Sequence, residues 1–222
     1  MRYRFTSYHP AGAAEAEEGG AGEEGGAGVT RLGGRPHWLE GAPQWPVNPY
    51  DGELAEFMGQ FRVEDRMVYL FAVGFSGEHV TVVQPGGWVT DSFETRAAVT
   101  GPSVLEQVHL LRVDEEVDHA EVERALEPEE GEDAYEREER LEELFEESRK
   151  DADGNIRMNQ LGGADVAPVW LQGDDLPGEG WRLVAQFDSY QLPFDVNFGD
   201  NGVGYLFLSP DGERAEFFFQ SG

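Results

Sequence analysis
Hydrophobic residues along this chain arrive in short β-prone runs broken by glycine and proline. From Leu54 the runs are LAEFMGQFRV, RMVYLFAVGF, HVTVVQ and GGWVT. Segments of this length, rich in Val, Phe and Tyr and bounded by turn residues, predict strands of an antiparallel sheet. Glu64-Asp65 and Ser76-Gly77 fall at the breaks and predict hairpin turns. The run VLEQVHLLRV at 104–113 admits strand or helix, and the alternation of Gln107 and His109 with Val108 and Leu110 favours a strand. After an Asp/Gly/Asn turn at 151–155 comes a second set, WRLVAQFDS, GVGYLFLS and RAEFFFQ, separated by NFGDNG (197–202) and SPDGE (209–213). Gly199 and Gly202 are expected to supply positive φ in the first of these turns.

The two sets echo one another. Leu32-Gly33-Gly34 returns as Leu161-Gly162-Gly163, Gln60-Phe61 as Gln186-Phe187, and Tyr69-Leu70-Phe71 as Tyr205-Leu206-Phe207, at offsets of 129, 126 and 136 residues. Three marks in one order predict an internally duplicated structure. The expected fold class is α+β, mainly antiparallel β. Two β-rich repeats, 29–113 and 156–222, pack as the lobes of a single domain over 1–222, with peripheral acidic helices.

Composition changes between the repeats. Residues 114–150 hold 18 acids and 5 bases, a net charge of −13. Within them Leu141, Leu144 and Phe145 fall at i, i+3 and i+4 among glutamates and arginines, the pattern of an amphipathic helix joining the repeats. Residues 10–28, PAGAAEAEEGGAGEEGGAG, carry no aromatic or β-branched residue and read as a flexible insert. Gly20-x-Gly22-x-x-Gly25 inside it matches a dinucleotide fingerprint. No strand precedes it and no helix follows, so it predicts no phosphate site.

Charge and residue inventory narrow the chemistry. The whole chain has 16 basic and 45 acidic residues, a formal charge of −29, which repels a phosphate backbone and an anionic bilayer. Nucleic acid and membrane are therefore not expected as partners, and the acidity reads either as a means of solubility or as attraction for a basic protein client. There is no cysteine, which excludes thiolate nucleophiles and cysteine metal sites. The five histidines occur singly, without metal-ligand spacing, and no Gly-x-Ser-x-Gly elbow is present. No cofactor, metal or catalytic set is predicted. MRYRFTSYHP lacks the apolar run of a signal peptide, and no stretch approaches the roughly 18 apolar residues of a membrane span, so a cytoplasmic protein is expected.

A few residues stand out as partner or structural-motif contacts. Gln60 and Gln186 interrupt apolar strands at matching positions, where a buried amide must satisfy both ends, as in a clamp from strand to loop. Asp200 in NFGDNG is expected to bond its own turn, or a partner. Trp45, Phe198, Glu142, Glu143, Glu146 and Glu147 complete the set.

RLGGRPHW, APQWPVN with Trp45-Pro46, and GELAEFMGQFRV, followed distally by LGG, RLVAQFDS and NFGDNGVGYLFLS, resemble the YwqG-like family of bacterial proteins from Thr30 onward. Phe198-Gly199-Asp200 stands where that family usually has a tryptophan before the Gly-Asp turn. The resemblance implies an internally duplicated, mostly antiparallel β fold with peripheral helices. The wider superfamily includes the programmed-cell-death-two-like proteins, which implies an adaptor, chaperone or immunity-type role and no established catalytic residues. Two functions are thus expected: a non-catalytic module binding a basic protein client, or an enzyme or small-ligand protein using the cleft between the lobes.

Overall fold
The computed structural model describes residues 2–8, 29–40, 45–74, 77–86, 88–89, 93–97, 100–116, 133–148, 150, 154, 158–162, 168, 171 and 177–221. In chain order they form β1 (Arg2–Tyr8), β2 (Arg31–Gly33), β3 (Trp45–Pro46), β4 (Glu56–Val63), β5 (Arg66–Val73), β6 (Glu78–Gln84), β7 (Trp88–Val89), β8 (Thr95–Arg96) and β9 (Val108–Glu116). After helix α1 (Ala134–Ser148) come β10 (Gln160–Leu161), β11 (Arg182–Asp188), β12 (Val203–Leu208) and β13 (Ala215–Gln220). The protein is mostly antiparallel β, and α1 is the one α-helix among the described residues.

Eleven strands share one sheet, ordered β13-β12-β11-β10-β1-β9-β2-β4-β5-β6-β7, while β3 and β8 form a separate ribbon. One strand near the middle of the sheet was not foreseen. β1, from a segment to which sequence patterning assigns no element, lies between β9 and β10. Asp114, Glu115 and Glu116, grouped with the acidic connector by composition, instead extend β9, where they face Arg4, Tyr3 and Arg2 of β1. The Gly/Ala/Glu-rich insert at 10–28 lies outside the described residues.

The apolar runs lack strict alternation because both faces of the strands are covered. On β5, Met67, Tyr69, Phe71 and Val73 join one cluster beneath Trp38, Leu39, Leu54 and Phe93. Its other face sends Val68 and Leu70 into a second cluster with Met58, Phe61, Phe187 and Leu206. β12 divides the same way, Tyr205 and Phe207 lying against Trp181 and Phe218 while Leu206 and Leu208 enter the shared core. The shared core draws on strands from opposite ends of the sheet, so the sheet curls back on itself. Phe61 and Phe187 meet at 5.4 Å between ring centroids, and His79 of β6 meets Phe217 of β13 at 4.4 Å.

Cross-strand registers recur. Leu32 lies opposite Gly59 and Leu161 opposite Ala185, while Gln60 lies opposite Tyr69 and Gln186 opposite Tyr205. Both ladders shift register at the corresponding place, between Phe57 and Gly59 and between Leu183 and Ala185. The connection lengths differ. β4 turns into β5 at Glu64-Asp65, with Glu64 at φ 55°, whereas residues 189–202 join β11 to β12.

Candidate functional site
The two glutamines are held at both ends. Gln60 Nε2 donates to the carbonyl of Val29 at 2.9 Å, and its Oε1 accepts the backbone N–H of His37 at 2.8 Å. Gln186 Nε2 donates to the carbonyl of Met158 at 3.0 Å, and its Oε1 accepts from Gln160 Nε2 at 3.0 Å. Each ties a central strand to the chain beside the preceding short strand. In the first half the tie continues along His37–Glu40. Tyr69 donates its hydroxyl to the His37 carbonyl at 2.7 Å, and Gln84 Oε1 accepts the Leu39 N–H at 2.8 Å. Burial pushes the Tyr69 phenol up to about 12, so it stays a donor across the ordinary pH range.

Trp45 and Phe198 are core residues. Trp45 is 1% exposed, donates Nε1–H to the Ala55 carbonyl at 2.7 Å and meets Phe71 edge-on at 5.6 Å. Phe198 is fully buried between His79 and Phe217. Neither ring is presented to a partner.

The turn after Phe198 is built differently from expectation. Asn197, and not Asp200, bonds the turn, its Oδ1 accepting the Gly199 N–H at 3.1 Å, while Asp200 is exposed. Gly199 takes φ 85° as expected, but the second left-handed residue is Asn201 at 47°. Gly202 is needed for closeness, since a Cβ there would come within 2.0 Å of the Phe198 carbonyl oxygen.

The acidic helix stands apart from these elements in character. Asp133 caps it, Oδ1 accepting the N–H groups of Tyr135 and Glu136 at 2.9 Å, and Glu136 Oε2 accepts the Asp133 N–H at 3.1 Å. This reciprocal arrangement is a capping box with aspartate as the cap. Leu141 is buried, whereas Tyr135, Glu139, Glu143, Leu144 and Glu147 are exposed. Glu147 pairs with Lys150 at 2.5 Å. The side-chain surroundings of Glu142 and Glu146 lie outside the described residues.

A cleft of about 250 Å³ opens where β4 and its turn approach β10 and β11. Phe61, Val63, Leu161 and Val184 supply apolar lining, and Thr30, Arg62, Glu64 and Arg182 supply polar groups. Arg182 Nη1 reaches Glu64 Oε1 at 3.0 Å across the two halves of the chain, and Arg62 Nε donates to the Glu64 carbonyl. Thr30 Oγ1 accepts the Arg62 N–H at 2.9 Å. None of these polar residues is marked by motif or spacing. The echo of Gln60-Phe61 in Gln186-Phe187 is the one sequence clue, because the cleft falls where the ends of the strands bearing them come together.

Elsewhere, His79 sits against Phe198, Phe217 and Phe219, with Nδ1 2.9 Å from the Gly77 carbonyl. Burial pulls its pKa down to about 4, so the ring is neutral at pH 7. Asp188 shifts the other way, its carboxyl raised by burial against the opposing hydrogen bonds from the Tyr190 N–H and Gln191. Among the described residues no group of three or more His, Asp or Glu side chains is arranged to hold a metal ion, and no helix is long and apolar enough to cross a membrane. No protein-family model matches the chain, and no curated protein matches it.

Proposed function
We propose that this protein is a YwqG-like, non-catalytic adaptor, chaperone or immunity-type module that binds a basic protein client in the cytoplasm. The observation that carries the reading is the charge arrangement of α1. Glu139, Glu143 and Glu147 form an exposed i, i+4 row, the last turn of the helix has no basic residue, and the compensation comes at the row's end, where Lys150 beyond the helix pairs with Glu147. Like charges one turn apart and acids at a helix C-terminus both disfavour the helix, by a few tenths of a kcal/mol each. A cationic partner turns this local cost into attraction, and exposed Leu144 beside Glu143 adds an apolar contact. The cleft is smaller than the roughly 300–1,000 Å³ usual for small-molecule pockets, which favours the client reading over an enzyme built on it.

The adaptor scaffold is, in the same reading, an internal duplication. The recurring registers and the shared place of the register shift support it. So does the exchange of first strands: β1 pairs with β10, β9 pairs with β2, and the two run antiparallel with Arg4 opposite Asp114 and Tyr8 opposite Leu110. Two copies related by an approximate twofold axis between β1 and β9 produce that pattern.

The test is capture of the client followed by association kinetics. The on-rate for the captured partner should fall steeply as the Debye length shortens from about 10 Å at 0.1 M salt to about 3 Å at 1 M. Replacing Glu142, Glu143, Glu146 and Glu147 together by glutamine should slow association while the fold survives, because the two residues have similar helix propensity. Binding that ignores both salt and this variant defeats the reading.

A further inference from the structure
We propose that the cleft between β4 and β11 binds a compact apolar group bearing a carboxylate, and that Glu64 holds the site's arginine until such a ligand arrives. This goes beyond the adaptor reading and does not depend on it.

The cleft combines two features that are rare together in a chain with 45 acids and 16 bases. Its lining from Phe61, Val63, Leu161 and Val184 is apolar, while two arginines, Arg62 and Arg182, line the same small space. Each spends little of its donor capacity. Arg182 uses Nη1 on Glu64 and Arg62 uses Nε on the Glu64 carbonyl, and neither side chain makes another hydrogen bond or ion pair among the described residues. An arginine has five N–H donors in a fork that fits a carboxylate, so most of the donors in this pair remain to be used. An apolar body under a forked cation selects an apolar acid.

Glu64 is placed to act as an internal stand-in. Its side chain is 69% exposed and that of Arg182 is 28% exposed, so their single contact at 3.0 Å is a water-accessible pair of the weak, exchangeable kind. A ligand carboxylate offers the same chemistry with an apolar body that Glu64 cannot place in the cleft. The longer connection in the other half carries Leu192, Phe194 and Val196 onto the shared core. The tight Glu64-Asp65 turn places no such side chains over the cleft.

The chemistry admits two sources, a free apolar acid or the C-terminal residue of a peptide. The test titrates the full chain with 3-phenylpropionate and with 3-phenylpropionamide while following the methyl resonances of Val63, Leu161 and Val184. Saturable shifts are expected with the acid, at an affinity at least tenfold above that for the amide. Glu64→Gln should tighten acid binding severalfold by releasing Arg182 and removing a like charge, an effect that a merely structural Glu64 would not give. Arg182→Gln should weaken it at least tenfold. Val63→Phe should abolish it by filling the cleft, and Arg62→Gln serves where the Arg182 variant fails to fold. A peptide ending in phenylalanine, compared free and amidated, then separates the sources. Tighter binding of the free-ended peptide than of 3-phenylpropionate assigns the site to chain termini, and weaker binding assigns it to small acids. Equal response to acid and amide, absence of saturation, or weaker binding by the Glu64→Gln variant overturns the proposal.

Discussion

Thr81 donates its hydroxyl hydrogen to the carbonyl of Ala215 at 2.6 Å, joining two residues 134 positions apart. Thr81 is 1% exposed and Ala215 begins the last strand of the sheet, so this bond satisfies a carbonyl on an edge that would otherwise face the core unpaired. Thr81→Val keeps the side-chain shape and leaves that carbonyl without its donor. The expected loss is about 1–3 kcal/mol by urea unfolding, with Thr81→Ser recovering most of it. A neutral Thr81→Val would mean that the sheet closes through apolar packing alone.

His79 gives the closed seam a pH dependence. Its folded pKa of about 4 lies below the roughly 6.5 of an unfolded histidine, so the unfolded chain binds more protons between those values. The neutral ring's contribution is fully present above pH 6.5 and is lost as pH falls toward 4, by up to about 3 kcal/mol. Below pH 4 no further loss comes from this residue. The ring's own share is isolated by comparison with His79→Leu. The difference in unfolding free energy between the two proteins should vary with pH from 6.5 to 4 and be flat above 7. A difference that is flat throughout would show the ring to be freely protonated in the folded state.

The glutamine ties should be separable. Gln60→Leu leaves the Val29 carbonyl and the His37 N–H without these partners, at about 1–3 kcal/mol for each group left unpaired. Faster amide exchange should appear at His37 and spread to Leu39. Gln186→Leu should cost a similar amount while leaving exchange at His37 unchanged, because its own partners are Met158 and Gln160. Identical exchange changes in both variants would contradict two independent ties.

Glycine substitutions test close approach against backbone strain. A Cβ on Gly162 would stand 1.6 Å from the Leu183 carbonyl oxygen, a backbone atom that can move only with β11. Gly162→Ala is expected to cost about 3 kcal/mol, the upper end for overpacking. Gly52 has φ 76° and nothing within 4 Å of its Cβ position, so Gly52→Ala should cost about 1 kcal/mol from left-handed strain alone. Thermal melts of both variants check the order, and a reversed order would refute the contact argument.

The sequence by itself determined the β-rich character, the β4–β5 turn, the acidic helix and the matching positions of Gln60 and Gln186. These are local properties: side-chain period, turn chemistry and helix spacing act within a few residues of the chain. Even the wider spacing from Gln186 to Tyr205 than from Gln60 to Tyr69 follows locally, from the longer connection between β11 and β12. Only the tertiary structure decided which strands lie side by side. Every strand offers the same backbone donors and acceptors, so nothing in RYRFTSY states that β1 belongs between β9 and β10. The turn around Asp200 was legible as a turn, but that Asn197 and not Asp200 bonds it was decided by the path of the backbone, which brings the Gly199 N–H to Asn197 Oδ1. Trp45 and Phe198, candidates in sequence for either a partner contact or a structural motif, are buried because loops and strands distant along the chain close over them. Arg62, Glu64 and Arg182 carried no signal at all, since their convergence requires the sheet to curl until β4 meets β11, and that curl is set by how the two apolar inner faces pack.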